Sequence, residues 1–140
     1  ASDVYKRQEI PDYALKGEGE MFFRPMVMNN LYNQVRSYMW IDTSVENRKY
    51  GFKDGCSRLV ELDETIQLPA GYKLVSAAKD ETMQGVGADF EGSLVQKGNK
   101  VLLHNRLALK KRVYEASDWE SFRNAVNAHK AYGEYLVIKK

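Results

Sequence analysis

Cysteine is nearly missing from this chain of 140 residues: Cys56 stands alone. One thiol excludes an internal disulfide and any zinc site built from several cysteines, although it does not fix the compartment. Histidine occurs twice and proline three times. Two histidines on separate elements, with no clustered carboxylate, make only a weak metal or catalytic signal. So few prolines leave no proline-rich linker or low-complexity tract. Charge of either sign is scarcely in excess, with 21 basic against 19 acidic side chains and a net +2. No bulk electrostatic pull toward nucleic acid or an anionic membrane follows. No apolar run approaches the ~20 residues that span a bilayer. What is present is ordinary for a globular domain: 44% apolar and 29% charged residues, in a length that makes one domain with its own core.

The opening is atypical. Asp3-Val4-Tyr5-Lys6-Arg7-Gln8 can be encoded by GAT GTG TAT AAG AGA CAG, which looks like the transposon end used in sequencing-library preparation. The expectation is that residues 1–8 are a non-native scar on a metagenomic fragment, to be left out of fold reasoning. The intact parent gene tests it: the same hexapeptide there would overturn it. Residues 9–140 then form the single domain.

Along that domain, Tyr13-Ala14-Leu15 and Met21-Phe22-Phe23 flank a polar glycine-containing link and read as a hairpin. Residues 26–50 read as irregular, with one short helix or strand. Val27, Leu31 and Val35 fit a helical face, but Asn29, Asn30 and Asn33 are poor helix formers. From Arg58, Val60, Leu62, Ile66 and Leu68 alternate with polar residues, a period of two with one buried face. Glu64 interrupts that face, which places it near a sheet edge. Pro69 ends the strand, Gly71 supplies a positive φ, and Tyr72 to Ala77 returns as a strand. Phe90–Gln96 and Lys100–Tyr114 pair through Lys97-Gly98-Asn99. The second of these is long enough to predict a bulge or bend near Asn105. Ser117-Asp118-Trp119-Glu120 reads as a capping box opening a helix over 117–132. Trp119, Phe122, Val126 and His129 lie on its apolar stripe and Gly133 at its end. Tyr135 to Ile138 is a last strand. The fold class expected is α+β: mainly an antiparallel β-sandwich with one C-terminal helix packed on it.

Chemistry is harder to find. Cys56 in Lys53-Asp54-Gly55-Cys56 invites comparison with the Gly-Asp-Cys around the nucleophile of transglutaminase-like enzymes. Here the two preceding residues are reversed, and a strand follows in place of the helix whose dipole activates such a thiol. A half-buried turn cysteine is expected instead, with a solvated His104 and a packed His129. Arg106, Lys110, Lys111 and Arg112 read as cross-strand partners of Glu61, Asp63 and Glu91 rather than a phosphate-binding stripe. Gly85-Val86-Gly87 opens no glycine-rich helix start, so no cofactor is expected. The aromatic group Tyr38, Trp40, Tyr50 and Phe52 fills a core under a long loop or, as the alternative, stacks on sugars. Tyr38, Trp40 and Tyr50 are the candidate surface for a ligand or partner.

A resemblance adds context. "MFFRPMV", "ENRKYGF", "ETIQLPAGYKLVS" and the run from Ala88 through "SDWESFRNAV" resemble successive blocks of a C-terminal β-domain of unknown function. It belongs to Gram-negative bacterial proteins with an upstream transglutaminase-like domain. The similarity spans about residues 14–140. It implies a periplasmic or other cell-envelope location and a non-catalytic accessory role. The partners expected are upstream domains of the same polypeptide, with other envelope proteins or glycans besides, and neither nucleic acid nor a membrane span. The chain departs from that pattern at Gly51, where a proline is frequent, and at Tyr38-Met39-Trp40-Ile41-Asp42.

Overall fold

The computed structural model describes residues 9–29, 41–76 and 79–140. The reading of residues 1–8 as a scar lies outside them, as do Leu31, Val35, Tyr38, Trp40 and Ala77. The described chain is α+β: antiparallel sheets with one long helix near the C-terminus.

The largest sheet is built from β4 (Arg58–Gln67), β6 (Lys79–Gln84), β7 (Ala88–Lys97) and β8 (Lys100–Leu109), in the order β4-β8-β7-β6. Its inner face follows the alternation in the sequence: Leu62, Phe90, Leu94, Val101, Leu103, Leu107 and Leu109 are all buried. Gly98, at φ 61, makes the tight turn between β7 and β8, as a two-residue hairpin loop requires. A smaller sheet joins the two ends of the chain. β1 (Leu15–Lys16) and β2 (Glu20–Phe23) form the expected hairpin, with Leu15 opposite Phe22. The final strand β10 (Leu136–Lys139) lies between β2 and β5 (Lys73–Leu74). A two-stranded ladder pairs β3 (Phe52–Lys53) with β9 (Val113–Tyr114). Helix α1 (Trp119–Ala131) packs on β7 and β8. It buries His129, and it buries Trp119, Phe122, Ala125 and Val126 in a core cluster shared with Phe23, Leu136 and Ile138 of the smaller sheet.

Local expectations are corrected at three places: the turn after β4, the long strand and the helix entry. The Leu-Pro-Ala-Gly-Tyr break is a turn, with Gly71 at φ 84 and the Tyr72 amide donating to the Pro69 carbonyl at 3.2 Å. It does not join neighbouring strands, however. It carries the chain from β4 into the smaller sheet, where Leu74 sits opposite Ile138, and regular structure stops at Leu74. The long strand has no bulge at Asn105, which keeps register with Leu62 and Gly92. The break falls instead at residues 110–112, so Val113 is exposed rather than sharing the face of Val101. The helix is entered through a 3₁₀ turn, Ala116–Asp118. The side chain that bonds back is Asp118, whose Oδ2 accepts from the Glu115 amide at 2.9 Å, not Glu120. Strand β6 carries no apolar alternation, and sequence periodicity did not reveal it.

Candidate functional site

The residues with nucleophilic or acid–base capacity stand in three different surroundings. Cys56 is exposed, not half-buried, in the loop leading to β4. His104 is on the outer face of β8, its Nδ1 2.7 Å from Asp63 Oδ1, with Asp63 its register partner on β4. Five residues of extended strand separate Asp63 from Arg58, the end of β4 nearest Cys56. That is about 17 Å at the usual rise per residue, so the thiol and this imidazole do not meet. His129 is buried under α1 and bonds through Nδ1 to Asn105 Oδ1. Burial, with the Lys130 charge beside it, lowers its pKa to about 4, so at neutral pH it is an uncharged packing residue. No group of three or more metal-binding side chains occurs among the described residues.

The basic stripe is largely engaged with acids. Arg106 Nε lies 3.6 Å from Glu61, Lys110 Nζ 2.7 Å from Asp89 and Lys111 Nζ 2.9 Å from Asp118. The hydrogen bonds from Lys110 and Lys111 hold the Asp89 and Asp118 carboxyls below their ordinary pKa.

The aromatic candidates divide. Tyr50 is 82% exposed and is the one member of the predicted surface that the described residues include. Phe52 turns inward instead: its ring stacks on Tyr114 at 4.7 Å and meets Trp119 and Phe122 edge-on. Arg48 covers this group, its guanidinium carbon 4.8 Å from the Phe52 ring centroid and 4.1 Å from that of Trp119. The chain between Ile41 and Arg48 is strapped along α1. Trp119 Nε1 donates to the Val45 carbonyl at 2.9 Å, and Arg123 Nε to that of Thr43 at 2.8 Å. Thr43 Oγ1 donates to Asn127 Oδ1 at 2.7 Å, and Lys130 Nζ to the Ile41 carbonyl at 2.7 Å. The helical positions 119, 123, 127 and 130 form one stripe, so the segment runs antiparallel to the helix. This stripe beside the apolar one is the signal that hydrophobic periodicity passes over.

A second feature was also missed. Between the smaller sheet and the edge strand β4 opens a cleft of about 420 Å³, walled by Met21, Phe23 and Ile138 on one side and Ile66 and Leu68 on the other. Glu64 points into this interior and is only 9% exposed. Its two oxygens accept from the amides of Val27 and Met28, each at 3.2 Å, at a helical turn over 26–29. The expectation that Glu64 sits near an edge holds, since β4 is the edge strand. What the carboxylate does there was not visible in the sequence.

A family described as a domain of unknown function with solved structure (DUF3858) matches residues 19–137. Among solved structures, the fold is similar to part of one described as a "putative protease" from Parabacteroides distasonis ATCC 8503. The TM-score is 0.62 at 12% sequence identity, covering 76% of this chain and 21% of that one. At that identity the likeness is one of fold alone, and the chain spans about a fifth of the length of that protein. No curated protein matches the chain. With the family match running from the β1–β2 turn into β10, the chain belongs to the DUF3858 family of domains of unknown function.

Proposed function

We propose that this domain is a non-catalytic accessory module of a larger polypeptide, acting by structure and by contact with neighbouring domains. The observation that carries the reading is the dispersal of its reactive side chains. Cys56 is in an exposed loop, His104 is paired with Asp63 on an open sheet face, and His129 is neutral inside the core. Nucleophilic catalysis needs thiol, base and orienting group within hydrogen-bond reach of one another. The sequence resemblance supports a finer setting: the cell envelope, periplasmic or outward-facing, in a chain with a transglutaminase-like enzyme domain upstream.

The test is made in the intact parent protein. Cys56→Ser and His104→Gln should each leave its turnover unchanged, while deletion of the whole domain should lower its thermal stability or its resistance to proteolysis. Loss of turnover in either point variant, with the protein still folded, would overturn the proposal.

Exposure of the Tyr50 ring favours one second reading, a carbohydrate-binding module using Tyr38, Trp40 and Tyr50. Stacking on a sugar should quench tryptophan fluorescence when oligosaccharides are added, and Tyr50→Ala should weaken that response. An unchanged spectrum removes this reading.

A further inference from the structure

Strand β4 pairs with β8 on one side and is an edge on the other. The bond from the Leu68 amide to the Asn99 carbonyl, at 2.7 Å, fixes the parity of that ladder. Bonded pairs alternate along antiparallel strands, so the even-numbered residues of β4 turn their N–H and C=O groups to β8. The same groups of Leu59, Glu61, Asp63, Thr65 and Gln67 face away from the sheet. Among the described residues nothing pairs with them. The edge runs for ten residues with no bulge and no proline, two devices that close such edges to other chains. An inward-pointing charge is a third device. Here it is Glu64, whose carboxylate is already turned to the Val27 and Met28 amides.

The cleft opens against this edge. Residues 64–69 line it without a gap. Successive side chains of a strand point to opposite faces, so an unbroken lining presents the strand's edge, with its backbone groups. A segment laid along β4 would turn every second side chain toward Met21, Phe23 and Ile138. Its other side chains would lie on the outer face beside Glu61 and Asp63, whose side chains are 53% and 74% exposed. Arg106 stands between Glu61 and Glu91 in register, so acids outnumber it at this end of the face. We propose that β4 accepts an extended segment by antiparallel strand addition, with apolar residues toward the cleft and Lys or Arg over Glu61 and Asp63. A neighbouring domain of the same polypeptide supplies it. That source rests on the accessory role proposed above, whereas the open edge does not. A second copy fits less well. Pairing β4 with itself about its middle sets Glu61 against Asp63, or Asp63 against its own counterpart, and like charges directly opposite destabilise.

The probe is a synthetic heptapeptide of alternating lysine and valine, acetylated and amidated, titrated into the chain and followed by amide chemical shifts and hydrogen exchange. The Glu61, Asp63 and Thr65 amides should shift and gain protection. Residues bonded to these three share their outer face, so the lysine amides of the probe meet β4. Methylating those amides should weaken binding by about tenfold or more, the worth of one hydrogen bond. Methylating the valine amides, which face away, should do much less. A peptide with its lysines and valines in two blocks, and one with glutamate for lysine, should not bind. Thr65→Pro removes a donor on the free side, where proline is tolerated, and should abolish binding, its thermal transition confirming the fold. Asp63→Lys, at an exposed position, should weaken it. Absence of binding, equal effects of the two methylations, equal binding of either control peptide, or undiminished binding by Thr65→Pro would each overturn the proposal. So would a dimer of the chain alone that protects the same amides, which gives the edge to a second copy. The titration needs only this chain, so its failure leaves the accessory role standing. Loss of turnover in Cys56→Ser would likewise leave the edge site standing.

Discussion

His129 and Asn105 meet at the interface between α1 and β8, both wholly out of contact with solvent. The histidine was legible because it closes the apolar stripe of the helix. Asn105 was not: a polar residue in the apolar series of β8 reads as a discontinuity, when it is the partner of a side chain on another element. The pair makes stability depend on pH with a definite sign. His129 has a folded pKa of about 4 against ~6.5 when unfolded, so the unfolded chain takes up the proton first. Its contribution is complete above ~pH 6.5, falls as pH drops toward 4, and levels off below. The loss amounts to about 3 kcal/mol. Urea unfolding at pH 7 and pH 4.5 should show it, and His129→Gln should flatten the profile in that window. An equally steep profile in the variant would assign the acid lability elsewhere. Glu64 gives a second residue-scale prediction. Glu64→Leu strands the Val27 and Met28 amides and should cost about 1–3 kcal/mol. Glu64→Gln, which keeps one acceptor, should recover part of it in the same unfolding measurement.

At the scale of elements, the short ladder β3–β9 explains a departure from the resembled pattern. A Cβ on Gly51 would lie 2.6 Å from the Tyr114 carbonyl oxygen, a backbone atom held by the ladder, so neither proline nor alanine fits without moving a strand. Gly51→Ala should therefore destabilise by about 1–3 kcal/mol, as overpacking does. A neutral substitution would mean that β9 yields. Helix α1 was the element best marked in the sequence, because its apolar stripe repeats over three turns. Trp119, Phe122 and Val126, expected in the core, are each at most 2% exposed. Trp119→Ala should cost about 3–5 kcal/mol. Trp119→Phe, which keeps a ring but gives up ring volume, part of the Arg48 contact and the bond to the Val45 carbonyl, should cost about 1–3 kcal/mol. Thermal melts of the two variants separate packing from strapping: similar losses would place the energy in the Ile41–Arg48 segment rather than under the helix. The capping carboxylate was misassigned from sequence because Asp118 and Glu120 both stand near the helix start. Which of two such carboxylates turns back to an amide is decided by the chain's path out of β9.

At the scale of the molecule, the alternating strands and the helix were readable because each repeats a short period within one segment. The assembly of the smaller sheet was not. It sets β2 against β10, from opposite ends of the chain, and admits β5 by two residues only. No local pattern encodes such pairings, and the cleft at β4 exists only because of them. The same connectivity governs how the domain comes apart. Phe23, Leu136 and Ile138 of the smaller sheet lie in one core cluster with Phe90, Leu103, Trp119 and Phe122, so neither sheet can keep its buried face once the other opens. A single cooperative transition is the consequence, as for most domains of this size. Near-ultraviolet and far-ultraviolet circular dichroism should report the same denaturation midpoint. The most protected amides of β2 and β10 should exchange at the same free energy as those of β7 and β8. Exchange from β2 and β10 at a distinctly lower free energy, with β7 and β8 still protected, would divide the core into two units and detach the cleft wall from the body that carries it.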